Sequence, residues 1–139
     1  MAILTDIFVA PPKEAQEYEG LAQAGRFDVF EGAQFKGLTT LEFCMLWAML
    51  QRAEFDFDRH ALESLAPEGE TWLFRFPPEF VEQLAALTPA AVKRFAKSWA
   101  EIDELQWDPT ETEEVLVEMV RLAKLAIASK QGMFFWGSL

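Results

Sequence analysis

The chain has 139 residues, 12 of them basic and 23 acidic, which gives a formal net charge of −11. Hydrophobic residues make up 51% of the chain and aromatic residues 14%, enough for one packed domain over residues 1–139. This composition excludes a disordered chain, because such chains lack the apolar residues that offset ordering entropy. The acidic charge argues against nucleic-acid binding, since phosphate binding depends on clustered Lys and Arg.

The single cysteine and the lack of a recognisable secretory or membrane-spanning pattern predict a cytoplasmic protein. Cys44 is the only cysteine, so the chain cannot form an internal disulfide or a multi-cysteine metal site. Met1–Ala10 has no basic residue before its apolar stretch and is interrupted by Asp6, unlike a secretory signal. No apolar run approaches the ~18 residues of a membrane-spanning helix. We expect no membrane contact, and no motif indicates a bound cofactor.

The first third of the chain predicts a strand, a helix and a second strand. Ile3–Val9 is rich in β-branched and large apolar residues on both alternating faces, which is typical of a strand covered on both sides. Pro12 then favours a helix start, and the helix is expected over Lys13–Ala24 with Gly25 at its end. Arg26–Phe30 is predicted to form a short strand.

The middle of the chain predicts a buried helix and a half-buried strand. Thr39 and Glu42 have the spacing of a capping box, and the helix that follows to Leu50 is apolar nearly all round, as expected of a core helix. Asp58–Leu65 is predicted to form a short helical turn. Large apolar side chains alternate with other residues over Trp72–Phe76, which indicates a strand.

The C-terminal part predicts three helices and a last strand. Glu79–Leu87 is a short helix, and Thr88 caps a longer one. Asp108 begins a helix that runs to about Lys130, and Met133–Trp136 is a strand. Together these elements predict a single α+β domain in which three to four short strands pack with four to five helices.

The order of motifs from Thr71-Trp72 onward resembles a known family. A strand and a Pro-rich turn precede a helix with Val81-Glu82-Gln83-Leu84, and Leu87-Thr88-Pro89-Ala90 leads a second helix. The final helix ends in Lys130-Gln131-Gly132 before an apolar strand. Over about half of the chain this pattern is similar to the YfbM-like family of small bacterial proteins of unknown function. The resemblance implies a compact α+β fold in a bacterial cytoplasm and supplies no catalytic residues.

No arrangement of nucleophile and base points to catalysis. His60 is the only histidine available as a base. Cys44 lies within the most apolar helix, where a small buried side chain is the ordinary interpretation of a cysteine. The sequence also lacks a glycine-rich phosphate loop and the G-x-S-x-G and H-E-x-x-H motifs. We therefore predict no catalytic residues and favour a non-enzymatic protein.

Asp56, Asp58 and His60 alternate along the chain and form a weak metal-site motif. In an extended segment the three side chains would share one face, and carboxylate and imidazole groups together can bind a divalent ion. The alternative is that Asp58 caps a helical turn while Phe55 and Phe57 point inward.

Four of the five tryptophans are predicted to be core residues, because they lie on apolar stripes or strands. These residues are Trp47, Trp72, Trp99 and Trp136. Trp107 lies instead in the turn between the last two helices. It either closes the end of the helical hairpin or anchors a partner from an exposed position.

Most of the negative charge falls on the same helical hairpin. Between Lys97 and Arg121 there are eight acidic residues and no basic one, which accounts for −8 of the net −11. The acids just after residue 100 follow the end of a helix, where the helix dipole disfavours them, so folding alone does not explain their position. The predicted partner-binding residues are Glu101, Asp103, Glu104, Trp107, Asp108, Glu111, Glu114 and Glu118.

Three functions fit these patterns. The first is an inhibitor or immunity-like binding protein whose acidic hairpin engages a basic protein. The second is a small-ligand-binding or metal-assisted enzyme domain with a pocket of aromatic and carboxylate side chains. The third is an oligomerising module. A solvated acidic surface that aids solubility also accounts for the charge.

Overall fold

Five antiparallel strands form one sheet in the computed structural model, which describes residues 3–26, 29–66, 69–102 and 105–139. The strand order is β2-β1-β5-β4-β3, so the strands nearest the two ends of the chain lie side by side. The strands are β1 (Leu4–Ala10), β2 (Glu31–Lys36), β3 (Glu63–Ser64), β4 (Thr71–Arg75) and β5 (Gly132–Ser138). The α+β class is confirmed, and five strands replace the three to four that were predicted.

Five α-helices are attached to the sheet, and they are α1 (Tyr18–Gln23), α2 (Thr40–Leu50), α3 (Pro78–Ala85), α4 (Pro89–Ala100) and α5 (Pro109–Ser129). The last four form the main core with one face of the sheet, where Ile7 and Val9 of β1 and Met133 and Phe135 of β5 are buried. The opposite face is covered by α1 and by the 3-10 helix that precedes it, Pro12–Glu17. None of the described helices combines the length and hydropathy that crossing a membrane requires.

The helix boundaries follow local chemistry that is readable in the sequence. The Thr88 side chain accepts a hydrogen bond from the Ala91 amide, and Asp108 accepts one from the Thr110 amide, so both predicted caps are confirmed. Thr39 does precede α2, but its hydroxyl donates to the Glu42 carboxylate and makes no cap bond to the backbone. The helix start is therefore confirmed, whereas the reciprocal capping box is not formed.

Two predicted elements have different structures. The segment predicted as one helix over Lys13–Ala24 is a 3-10 helix followed by the six-residue α1. The helical turn predicted at Asp58–Leu65 is a tight turn at residues 57–59 followed by β3. The Asp56 carboxylate holds this turn by accepting hydrogen bonds from the amides of residues 58 and 59, which stops a helix from propagating.

The second strand begins later in the chain than predicted. Residues 29–30 form a bend, residues 27–28 lie outside the described part of the chain, and β2 begins at Glu31. This strand lies at the edge of the sheet and packs only Ala33 and Phe35 against the core. An edge strand with so few buried residues lacks the apolar run by which interior strands are recognised.

The main core is held together by aromatic side chains from α2, α4 and β5. The Phe43 ring meets Phe135 edge-on with 5.0 Å between ring centroids, and the Trp99 indole donates a 2.9 Å hydrogen bond to the Glu42 carbonyl. Trp47, Trp99 and Trp136 are buried, and Trp72 is half-buried against this core. The prediction that these four tryptophans belong to the core is therefore confirmed.

Replacing Gly137 by alanine is expected to lower the free energy of unfolding by about 1–3 kcal/mol. A Cβ atom there would overlap the Trp72 indole, which packs directly on the Gly137 backbone. Gly20→Ala is the control, because a Cβ in α1 meets no atom within 4 Å and should stabilise the helix by about 0.5–1 kcal/mol. Urea titration of both variants measures the effect, and equal stabilities would contradict this packing.

Candidate functional site

A row of four side chains crosses the face of the sheet that α1 covers. In the antiparallel register, Asp6 pairs with Gln34 on one side and with Trp136 on the other, and Trp136 pairs with Leu73. Paired residues of neighbouring strands point to the same face, with their Cβ atoms about 5 Å apart. The register therefore places a carboxylate between an amide and an indole.

Asp6 is a buried carboxylate, with only 4% of its surface exposed. The Tyr18 hydroxyl donates a 2.8 Å hydrogen bond to its Oδ2 atom. Tyr18 is itself held in place by Phe8, since the two rings stack with 4.0 Å between their centroids. A helix of six residues thus positions a phenol directly on the carboxylate.

Burial determines the ionisation of this pair. It raises the pKa of Asp6 above its ordinary value of 3.8, while hydrogen bonds from Tyr18 and Gln34 act in the opposite direction. Burial also raises the pKa of Tyr18, and its hydrogen bond to Asp6 raises it further. Within the described residues Asp6 forms no ion pair, so its negative charge is compensated only by neutral donors.

Trp136 adds a hydrogen-bond donor that has no acceptor. The residue is 7% exposed, and its Nε1 atom is buried without a hydrogen-bond partner among the described residues. A buried polar group without a partner costs about 1–3 kcal/mol. Such a group in a native protein calls for an explanation, and a bound molecule that supplies the acceptor is one.

Two neighbouring cavities share Trp136 as a wall. The larger has a volume of about 480 Å³, and its lining includes Asp6, Gln34, Lys36 and Trp136 as well as the apolar Leu4 and Ala22. The smaller, of about 280 Å³, is lined partly by Glu19, Thr71 and Leu73. We refer to the larger cavity as the Asp6 pocket. Its lining combines a buried acid, apolar walls and the side chain of Trp136, and a buried acid within apolar walls is typical of a small-molecule site.

A larger groove of about 690 Å³ lies between α4 and α5. Its apolar part includes Leu87, Val92, Val117 and Val120, and Lys93 and Lys124 also line it. None of its lining residues carries a buried polar atom that lacks a partner in the described part of the chain. The smaller Asp6 pocket is therefore the better candidate, because it alone of the two brings unsatisfied polar chemistry together with apolar walls.

The predicted acidic surface is only partly in the described residues. Asp103 and Glu104 lie outside them. Four of the predicted acids are exposed and form no ion pair among the described residues, namely Glu101, Asp108, Glu111 and Glu114. Asp108 also caps α5. Glu118 differs, because it binds Arg121, which also binds Glu31 at 2.8 Å. Four of the eight predicted partner-binding residues are thus exposed acids that form no ion pair within the described part of the chain.

Trp107 closes the end of the hairpin. It is half-buried, packs against the main core and lies over Gly37, where an added Cβ would approach its ring to 3.1 Å. Its backbone amide donates to the Ala100 carbonyl, which ties the turn to the end of α4. Of the two alternatives for Trp107, the structure therefore favours closure of the hairpin.

Asp56, Asp58 and His60 are not assembled into a metal site, and the described residues contain no group of three or more potential metal ligands. His60 is fully buried, and its Nδ1 accepts from the Asp56 amide while its Nε2 lies 2.9 Å from the Gln51 side-chain oxygen. Phe55 stacks on His60, whereas Phe57 is 64% exposed. The alternative in which both phenylalanines point inward is therefore wrong for Phe57.

Cys44 has the buried position expected of it. Only 3% of its surface is exposed, and burial raises the pKa of its thiol, which disfavours the nucleophilic thiolate. Both ring nitrogens of His60, the one histidine of the chain, have hydrogen-bond partners elsewhere. The two residues therefore do not form an activated nucleophile and base.

Comparison of the chain with models of protein families, with curated proteins and with solved structures finds no match. The resemblance to the YfbM-like family stays a prediction. The function of this protein is therefore inferred from the geometry of the site alone.

Sequence reasoning missed the Asp6 pocket, although one signal for it was present. Asp6 is the only charged residue in an otherwise largely apolar strand, and a charge at a buried strand position is unusual. Its partners could not be identified, because Gln34 and Trp136 become neighbours of Asp6 only through strand pairing. Trp136 was predicted only as a core residue.

The free energy of unfolding of the Asp6→Asn variant is expected to depend less on pH than that of the wild type. Because the folded-state pKa of Asp6 is raised, its contribution to stability is fully present below pH 3.8 and is lost as the pH rises through the folded-state pKa. The stability of the variant relative to the wild type should therefore increase from about pH 4 toward pH 7.

Urea unfolding at several pH values measures this difference. Asp58→Asn is the control, because it removes the same charge from an exposed side chain. Parallel profiles for the two variants would show that burial does not raise the pKa of Asp6.

Proposed function

We propose that this protein is a ligand-binding domain that holds a small polar molecule in the Asp6 pocket. The observation that carries the proposal is the pairing of two buried groups of the described residues, a carboxylate that has no ion pair and an indole N–H that has no acceptor. Both groups are costly as they stand, and both would be satisfied by a ligand with donors and acceptors.

The pocket supports binding more than catalysis. Asp6 and Tyr18 are hydrogen-bonded to each other, and burial favours the protonated form of both. A general base must lie within hydrogen-bond reach of the proton that it takes, and the Oδ2 atom of Asp6 already accepts the hydroxyl proton of Tyr18. Recognition of a ligand by shape and hydrogen bonds needs no such proton transfer. The role proposed here is therefore non-enzymatic.

A thermal-shift screen against a library of small metabolites tests this function. A ligand present at 100 times its Kd stabilises the folded state by about 2.7 kcal/mol, which corresponds to a shift of several degrees. Asp6→Asn and Trp136→Phe should each abolish or strongly reduce the shift. Asp58→Asn and Trp107→Phe are matched controls outside the pocket and should retain it. Ligands that stabilise all four variants equally would place binding elsewhere and contradict the proposal.

We also propose a second function, which the exposed acids support. Glu101, Asp108, Glu111 and Glu114 would form a docking surface for a basic protein, as in an inhibitor or immunity-like protein. Exposed charges without partners among the described residues raise association rates with an oppositely charged surface. This surface and the Asp6 pocket share no residue, so the two functions are compatible.

Reversal of Glu101, Glu111 and Glu114 to Lys is expected to weaken binding of the basic partner at low salt by at least about tenfold. The partner is first identified by cross-linking and mass spectrometry, and its Kd is then measured by calorimetry with purified proteins. Reversal of Glu54, Glu63 and Glu70, three exposed acids elsewhere, changes the net charge equally and serves as the control. Equal loss of affinity in both triple variants would show attraction by net charge rather than a docking surface.

A further inference from the structure

We propose that the ligand of the Asp6 pocket is a zwitterionic amino acid with an apolar side chain, whose ammonium group binds Asp6 and whose carboxylate binds Lys36 and Trp136. This inference rests on the proposed ligand-binding function and adds the chemical class of the ligand.

The ammonium group follows from the surroundings of Asp6. The carboxylate receives a hydrogen bond from Tyr18 and lies opposite Gln34 in the strand register, both of which are neutral, and no Lys or Arg of the described residues pairs with it. Removing a carboxylate from water without an opposite charge is unfavourable. A ligand ammonium group would supply that charge together with further hydrogen-bond donors.

The carboxylate of the ligand follows from one buried donor without an acceptor and from one lysine without an ion pair, both among the described residues. The Trp136 Nε1–H is buried without a partner, and Lys36 lines the same pocket without an ion pair among the described residues. A carboxylate has two oxygens and accepts from both an indole N–H and an ammonium group. A hydrogen bond to an ionised acceptor is stronger than one to a neutral acceptor. A carboxylate would therefore offset the cost of leaving the indole N–H of Trp136 unpaired better than a neutral oxygen would.

The balance of charge favours one molecule that carries both groups. The pocket lining contains one acid, Asp6, and one base, Lys36. A purely anionic ligand would leave Asp6 without a cation and place two carboxylates close together, and a purely cationic ligand would be repelled by Lys36. A zwitterion compensates both charges and has no net charge that the −11 of the whole protein could repel.

The strand register gives a spacing that fits an amino acid. Gln34 lies opposite Asp6, and Lys36 is two residues further along β2, so Lys36 is the diagonal neighbour of Asp6 on the same face. Diagonal neighbours across an antiparallel pair are about 7–8 Å apart. The ammonium and carboxylate groups of an α-amino acid are attached to the same carbon atom and fit between the side chains of Asp6 and Lys36. The flexible side chain of Lys36 can extend or fold to bring its ammonium group to the ligand carboxylate.

The apolar walls determine the side chain. Leu4 and Ala22 line the pocket beside the polar groups, and Leu4 is 43% exposed although it is a large apolar residue. A ligand side chain packed against Leu4 would remove the exposed surface of Leu4 from water. This burial is favourable when the ligand side chain is itself apolar. The volume of about 480 Å³ accommodates a leucine- or phenylalanine-sized molecule.

The test is an NMR titration that follows the indole N–H signals of the five tryptophans, with Trp136 assigned through the Trp136→Phe variant. The probes are L-leucine and L-phenylalanine, each compared with its amide, which keeps only the ammonium charge, and with its deaminated acid, which keeps only the carboxylate. At least one of the two amino acids should shift the Trp136 signal at about millimolar concentration or below. It should bind at least about tenfold more tightly than either of its analogues.

Variants then separate the two contacts. Asp6→Asn should weaken the amino acid about tenfold and leave the deaminated acid unaffected, because that analogue has no ammonium group to lose a partner. Lys36→Met should weaken the amino acid about tenfold and leave the amide unaffected. Asp58→Asn and Lys13→Met remove the same charges from exposed positions outside the pocket and should change nothing.

Two results would overturn this inference. If an amide or a deaminated acid shifts Trp136 at the same concentration as its parent amino acid, the ligand is not recognised as a zwitterion, although the pocket still binds a ligand and the proposed function stands. If neither amino acid shifts Trp136, the ligand class is wrong, and the metabolite screen alone decides whether the pocket has a ligand.

Discussion

The pairing of β1 with β5 is the interaction on which the rest of this structure depends. The two strands lie side by side inside the sheet, and both helical layers are packed on them. Their register sends Ile7 and Phe135 to the main core and sends Asp6 and Trp136 to the opposite face. A slip of one residue would exchange the two faces of a strand and bring a carboxylate into the apolar core. One register therefore fixes both the core and the pocket.

The two faces of the sheet differ in how completely they are covered. Four helices bury one face, whereas the other is covered by a 3-10 helix and the six residues of α1, which pack mainly on Phe8, Phe134 and Trp136. This short cover leaves Leu4 and Lys36 at the margin of the sheet beside the Asp6 carboxylate. A thin layer on one side of the sheet thus leaves room for the Asp6 pocket, while the four helices on the other side bury most of the apolar surface.

Local signals in the sequence predicted the elements whose formation depends on local chemistry. The caps at Thr88 and Asp108, the apolar periodicity of α4 and the alternation at β4 all correspond to elements of the structure. The edge strand β2 was misplaced because few of its side chains are buried, and β3 was missed because it has only two residues. The pocket could not be predicted, since its polar groups come from three strands that are neighbours only in the folded sheet. Asp6 marked an unusual position, but nothing in its local sequence indicates Trp136.

The central position of β5 also has a consequence for folding. This strand is the last element along the described chain, yet it lies between β1 and β4 in the sheet. Asp6 of β1 therefore pairs with Trp136, which follows 130 residues later in the sequence. During synthesis, β1 and β4 are made long before the strand that joins them, and the sheet cannot be completed until residues 132–138 have left the ribosome. Contacts between such distant residues slow folding and leave strand edges exposed meanwhile. The face of β1 that stays uncovered until then includes Leu4 and Asp6, which line the Asp6 pocket in the folded protein.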